Sequence, residues 1–217
     1  DFQNKIYQIK AYKLIKKNLK PKRQFLELGC ADGSFADFIS KNTNTKGWGI
    51  DISLEGVRIA KKIGISAQIH DLSKPLPFRK DRFDFIIALE VIEHLLDTDF
   101  FLKEVSRAIK KKGSVVISTP NLASFNNRIM LLLGKYPRFL NYTWKDFGYH
   151  AHLYTASTLQ KQMRENGFKI VETTSSNFLS PFITKKWCPA IVRNISMFFG
   201  DLFPSLGSHI IIYATKI

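Results

Sequence analysis

The sequence is short of acid, shorter of cysteine, and has no long apolar run. Two cysteines, Cys30 and Cys188, occur in 217 residues. They are too few and too far apart for a disulfide framework or a cysteine metal site, so both read as small packing residues. No stretch approaches the roughly 18 uninterrupted apolar residues of a membrane-spanning helix. Internal repeats and low-complexity segments are absent, and no signal-peptide pattern follows Asp1, although the sequence starts without Met. The expectation is a cytoplasmic protein. Acids number 18 against 33 Lys and Arg, for a formal net charge of +15. A nucleic acid, an anionic membrane surface, an acidic substrate or a lysine-rich solvated surface would each account for that excess. Its clusters, Lys16-Lys17, Lys20 to Arg23, Lys61-Lys62, Lys110 to Lys112 and Lys185-Lys186, are spread out. Several fall at predicted helix ends, where cations complement the dipole. The solvated-surface reading is preferred, and nucleic acid is not favoured as a partner.

The length supports one α/β domain with a full core over residues 1–217. Its organising stretch is Phe25-Leu26-Glu27-Leu28-Gly29-Cys30-Ala31-Asp32-Gly33-Ser34-Phe35, an apolar strand that breaks into a small-residue turn and then starts an amphipathic helix. Gly29, Ala31 and Gly33 let a ligand approach the backbone, and the helix amides point at it. A dinucleotide turn would read G-x-G-x-x-G, whereas here the small residues come at i, i+2 and i+4 behind an acid, Glu27. A carboxylate there repels a pyrophosphate and suits a cationic or amine-bearing ligand.

That turn resembles the first motif, E/D-x-G-x-G-x-G, of the class I S-adenosylmethionine (SAM) dependent methyltransferases, with Ala31 in place of the middle glycine. The resemblance covers about residues 20–175 and the last strand. It implies a Rossmann-like, doubly wound sheet of seven strands, mostly parallel, whose last strand runs antiparallel between the fifth and sixth. It also implies SAM as cofactor, S-adenosylhomocysteine as product, and a cofactor cradle of Glu27, Gly29, Cys30, Ala31, Gly33 and Leu89.

In chain order, Ile6, Tyr7, Lys10, Ala11, Leu14 and Ile15 predict an amphipathic helix over roughly 3–19 that packs over the cofactor site. Phe35, Phe38 and Ile39 line the first crossover helix, and Trp48 to Ile52 form a second strand. Asp51 ends that strand 24 residues after Glu27, where a parallel sheet sets an acid beside a nucleoside ribose. Asp51 and Ser53 could equally cap the next helix. By the resemblance, Asp51 and Ile52 lie at the ribose, and Asp71 and Leu72, after a third strand at 67–70, lie at the adenine.

Phe83 to Leu89 is a nearly continuous apolar strand of the buried parallel kind. It delivers Glu90-Val91-Ile92-Glu93-His94-Leu95 to the sheet's carboxyl end, where open α/β sheets place ligand crevices. Three readings of Glu90, Glu93 and His94 stand: a base beside the acceptor, part of a divalent metal site, or a helix start with acids at its positive end. The cluster resembles the quinone-biosynthesis O-methyltransferases, and also the enzymes that 2′-O-methylate small-RNA 3′ ends, where Glu, Glu, His and a later His hold a metal. His94 and Glu93 are the catalytic candidates, with His94 the better base because its ordinary pKa lies near neutrality. Glu90 is placed at the substrate. No metal is assigned, since magnesium or manganese would need a further ligand from the region around residue 150.

Phe101, Leu102, Val105, Ala108 and Ile109 predict a helix ended by Lys110-Lys111-Lys112-Gly113, and Ser114 to Thr119 a fifth strand. Residues 120–155 exceed what a crossover needs and read as a lid, with His150 and His152 as candidate substrate contacts. A helix from Thr155, a sixth strand at 169–174 and a last strand at 209–215 complete the pattern. Between them, 178–206 is an apolar insertion. The favoured expectation is a cap that admits an apolar or lipid-linked acceptor, with core packing, a dimer surface or peripheral membrane association as alternatives. The expected activity is methyl transfer from SAM to an oxygen or nitrogen of a small-molecule acceptor. Its competitors are an RNA methyltransferase or nucleic-acid-binding module and a non-catalytic SAM-binding regulator.

Overall fold

The computed structural model describes residues 6–137, 150–178 and 189–217. One seven-stranded sheet carries the chain, built from β1 (Gln24–Leu28), β2 (Lys46–Asp51), β3 (Ser66–Ile69), β4 (Phe83–Leu89), β5 (Ile109–Pro120), β6 (Phe168–Ser175) and β7 (His209–Lys216). The strand order is β3-β2-β1-β4-β5-β7-β6. β1 to β5 pair in parallel, and β7 runs antiparallel to both β5 and β6, as the resemblance implies.

Helices cover both faces, which is why the central strands are apolar on both sides. On one face α1 (Ile6–Asn18), α2 (Ser34–Thr43) and α3 (Leu54–Lys62) bury Leu14, Ile15, Phe35, Ile39 and Val57 against Phe25, Phe85 and Ile87. On the other, α4 (Thr98–Ala108) and α6 (Ala156–Glu165) bury Phe101, Val105, Leu159 and Met163 against Leu26, Ile86 and Ile117. Local chemistry sets the helix starts. Ser53 caps α3 by accepting from the Gly56 amide, Asp97 caps α4 by accepting from the Phe100 amide, and Thr155 with Thr158 forms a capping box on α6.

Two sequence expectations shift. The fifth strand begins at Ile109, so Lys110 to Lys112 extend a strand instead of ending a helix. Ile109 turns extended immediately after α4 and pairs with Phe83, which leaves the lysines at the start of the ladder. The lid region contains a short helix, α5 (Phe125–Leu132), while residues 138–149, including Trp144 and Phe147, lie outside the described residues.

The apolar insertion resolves into α7 (Ala190–Leu202), and residues 179–188 fall outside the described residues. Its inner side packs on edge strand β6 and on α1. Buried Lys10 pairs with Asp201, which also accepts from the Thr174 hydroxyl, and Ser175 Oγ donates to the Gly200 carbonyl at 2.7 Å. Ile191, Ile195, Phe198 and Leu202 stay exposed on its outer side. Among the described residues, no helix is long and apolar enough to cross a membrane.

Candidate active site

The turn after β1 is wound left-handed three times, at Gly29 (φ 71°), Ala31 (φ 45°) and Gly33 (φ 74°). A Cβ at Gly29 would sit 2.6 Å from Val91 Cγ2, and one at Gly33 would sit 2.7 Å from Ala60 Cβ, so glycine is required for space as well as for φ. Ala31 adopts a conformation that costs an L-residue roughly 1–2 kcal/mol. It is held there from two sides: its amide donates to Asp51 Oδ2 at 2.8 Å, and Gly56 presses close on its carbonyl. Gly33 at the N-cap offers no side chain to α2, and the Ser34 amide donates to Asp32 Oδ1 at 3.0 Å.

Glu27 lies directly beneath this turn, 5 % exposed, with its Oε2 buried and without a hydrogen-bond partner. Burial is the main reason its carboxyl is pushed up to about 8, helped by the charges of Asp32 and Asp51. A buried acid with an orphan oxygen is what an incoming ammonium would satisfy. Within the turn the Cys30 thiol donates only weakly, to the Ala31 carbonyl at 3.8 Å. Its thiol is packed against Gly49 and pushed up to about 12 by burial, which makes it inert.

At the end of β2, Asp51 spends one lone pair of each oxygen on the backbone, accepting from Ala31 and from Ser53 at 2.8 Å each. The remaining lone pairs could accept two ribose hydroxyls. The two readings of Asp51 therefore meet: Ser53 is the cap of α3, and Asp51 ties that cap to the glycine turn. Ile52 is 74 % exposed beside it. Asp71 accepts from the Ser73 hydroxyl and amide, which holds its carboxyl below the usual range, and Leu72 follows it half-buried.

Beyond β4 the chain does not start a helix. Glu90 is left-handed (φ 57°), a single 3-10 turn spans Ile92–His94, and α4 begins only at Thr98. The reading of Glu90 and Glu93 as acids at a helix's positive end is thereby corrected, because Asp97 occupies that place. The cluster also divides. Glu90 turns toward the far strands, accepting from Ser118 Oγ at 2.6 Å and lying 3.4 Å from His209 Nε2. Burial holds His209 down at about 4, so its imidazole is neutral; it touches Ser176 Oγ through Nδ1 and stacks on Tyr7 of α1.

Glu93 is 1 % exposed, and neither carboxyl oxygen has a hydrogen-bond partner, although Thr119 is near enough to act on it. Burial first, and the Glu90 charge second, push its carboxyl up to about 8. Its carbonyl accepts from the Ala151 and His152 amides at 2.7 and 3.1 Å, docking that segment onto the site. His150 thereby comes beside His94, ring centroids 4.9 Å apart, and ligand atoms of Glu93, His94 and His150 lie within 4.8 Å of one another. His150 thus stands where the sequence left room for a further ligand. His152 stands apart, its Nε2 3.0 Å from the Leu96 carbonyl oxygen. Tyr7, Ser118, Thr119 and His209 were not legible as site residues; only the helical stripe through Tyr7 pointed at the cleft.

The two raised carboxyls make a pH prediction. A group that holds its proton longer folded than unfolded stabilises the fold fully below its unfolded pKa of about 4.5. That contribution is lost as pH rises toward about 8. The cofactor-free protein should therefore melt lower at pH 8 than at pH 5.5, a trend that thermal scans across this window would show reversed or absent if the two acids were ionised.

A buried acid under the glycine turn suits SAM, which brings an ammonium and a sulfonium to the same cleft, and does not suit a pyrophosphate. On this sheet, with acids ending β2 and following β3, the arrangement defines a class I SAM-dependent methyltransferase. A family model of the methyltransferase domain matches residues 5–173, and the chain belongs to that family. It is 27 % identical over 189 residues to a ubiquinone biosynthesis O-methyltransferase of Pelagibacter ubique, covering 77 % of this chain and 75 % of that one. It is 29 % identical over 176 residues to an uncharacterised protein of Methanocaldococcus jannaschii, covering 81 % and 78 %. A Thermotoga maritima crystal structure described as a possible histamine N-methyltransferase superposes with a TM-score of 0.69 at 22 % identity, over 100 % of this chain and 92 % of that one. That structure bears on the fold alone.

Proposed function

We propose that the chain methylates a hydroxyl oxygen of a small, largely apolar acceptor, with Glu93, His94 and His150 holding a divalent cation beside it. The observation that carries this is the Glu93 carboxyl, buried without a partner and faced by two imidazoles from separate segments. An acid buried at such cost is stabilised by a cation, and two nitrogens with one oxygen suit manganese, zinc or magnesium. When bound, the ion supplies Lewis acidity that lowers the pKa of the acceptor hydroxyl. The Pelagibacter relative's O-methyltransferase name supports an oxygen acceptor.

In this reading Glu27 pairs with the SAM ammonium, the Gly29–Gly33 backbone cradles the methionine end, and Asp51 accepts from the ribose. Asp71 and Leu72 meet the adenine, with Ile52 and Leu89 at its sides. Methyl transfer is a direct displacement, so the protein's work is to align donor and acceptor and keep water out. Segment 150–154 does part of that work by closing over Glu93, and α7 caps the acceptor side. Asp51→Ala should weaken S-adenosylhomocysteine binding by about 1–3 kcal/mol, since two hydroxyls lose a charged acceptor and the Ala31 amide loses its anchor. Calorimetry checks this, and an unchanged affinity would move the ribose elsewhere.

The test of function is methyl transfer from labelled SAM to a panel of simple phenols and catechols, with and without chelator. Loss with chelator, return with manganese, and loss in His150→Ala are expected. A rate indifferent to chelator but abolished by His94→Ala would assign His94 as a metal-free base. Tight cofactor binding with no turnover on any acceptor, cell extract included, would support a SAM-binding regulator.

A further inference from the structure

The excess positive charge has a place in the fold. Acids gather at the carboxyl ends of the parallel strands, where Glu27, Asp51, Glu90 and Glu93 lie. The opposite end of the sheet, one strand length or about 20 Å away, receives two of the basic clusters, Lys20 to Arg23 and Lys110 to Lys112. There the loop entering β1 and the first residues of β5 enclose a cavity of about 320 Å³ lined by Lys20, Arg23, Lys110, Lys111 and Lys112. Asp84 is its only acid, and that carboxylate is already used: Arg23 and the Gln24 amide donate to it, and Lys110 Nζ lies 2.9 Å away. Among the described residues, no ion pair includes Lys20, Lys111 or Lys112, and all three are exposed.

The backbone adds a second observation. Lys112 is left-handed (φ 61°), as is Lys22 (φ 62°) in the facing loop. Glycine or asparagine occupies such positions without strain, whereas lysine pays for it, and strained side chains cluster at functional sites. Three unpaired ammonium groups around one hollow repel one another, and a ligand carrying two or more negative charges relieves that repulsion. Lysines act as compact point charges with no planar fork, which suits phosphate oxygens better than a single carboxylate.

We propose that this cavity binds a multiply charged phosphate group, on a small molecule or a lipid headgroup, at a site separate from methyl transfer. Inorganic pyrophosphate is the probe. Titrated into the full chain at low salt, it should bind saturably with one-to-one stoichiometry, and weaken as salt is raised. The double variant Lys111→Glu, Lys112→Glu should lower that affinity by on the order of tenfold or more, because two charges beside the anion reverse sign. S-adenosylhomocysteine affinity should not change, which also confirms that the variant is folded. Lys112→Gly separates ligand from fold: it removes the left-handed strain, so melting should rise by about 2 °C while pyrophosphate binding weakens. Vesicles of phosphatidylcholine with added phosphatidic acid identify the source. Binding that pyrophosphate competes away indicates a lipid headgroup; pyrophosphate binding without vesicle binding indicates a free phosphate ester. No saturable pyrophosphate binding, an affinity untouched by either variant, or vesicle binding that survives both pyrophosphate and the substitutions would overturn the proposal.

Discussion

Glu93→Gln is expected to lower kcat by about 10²- to 10³-fold while leaving S-adenosylhomocysteine affinity within about threefold. Glutamine matches the buried volume but cannot ionise, so it removes the charge that draws a cation to His94 and His150 without opening a cavity. Since burial and the Glu90 charge push the Glu93 carboxyl up and so favour its neutral form, the neutral amide should fold at least as well. The variant should also lose part of the melting decline between pH 5.5 and 8, because one of the two raised carboxyls is gone. Steady-state kinetics with manganese present, together with thermal scans at both pH values, check the two halves separately. Wild-type turnover in Glu93→Gln would remove Glu93 from the chemistry, whatever the stability result.

Gly33→Val should be the most damaging single change in the cofactor half of the site. Valine would have to hold φ near 74°, and its Cβ would meet Ala60 Cβ at 2.7 Å and the Ala60 backbone at 3.0 Å. The left-handed conformation and the overpacking together should cost about 2–5 kcal/mol. For a chain of this size that means a fall in melting temperature of roughly 5–15 °C. Because Gly33 is also the residue from which α2 departs, the turn must shift, and cofactor affinity should fall with it even where the protein remains folded. Gly33→Ala is the graded control, with the same φ conflict and a smaller clash. A valine variant that melts and binds as wild type would mean that the turn is not rigid.

The same contrast between local and non-local information runs through the molecule. The strand–turn–helix at Gly29–Gly33 was legible because its determinants are local: small residues at alternate positions, an acid before them and an apolar run on either side. The continuous apolar strands likewise announced a sheet buried on both faces, since nothing else in so short a run needs to avoid water on both sides. Asp51 could be placed because a parallel β-α-β unit has a nearly fixed length. Even the helix start that failed to appear at Glu90 failed for a local reason: the left-handed Glu90 and the 3-10 turn postpone the helix to Asp97.

Residue types and spacing determined an α/β domain and the carboxyl-end location of the cleft, and the family resemblance of the glycine turn implied the seven-stranded sheet and the cofactor. Only the tertiary structure decided which side chains meet there. His150 reaches His94 because backbone amides of Ala151 and His152 dock on the Glu93 carbonyl, a contact spanning more than fifty residues that leaves no periodic trace. Glu90 takes Ser118 and His209 as its partners because β7 inserts between β5 and β6 and brings a distant histidine to its side. The basic clusters looked dispersed along the chain, yet Lys20 to Arg23 and Lys110 to Lys112 meet at one cavity because every parallel strand begins at the same end of the sheet. Burial and pairing across the sheet are properties of strand order, and strand order is a global minimum over contacts that no window of sequence contains.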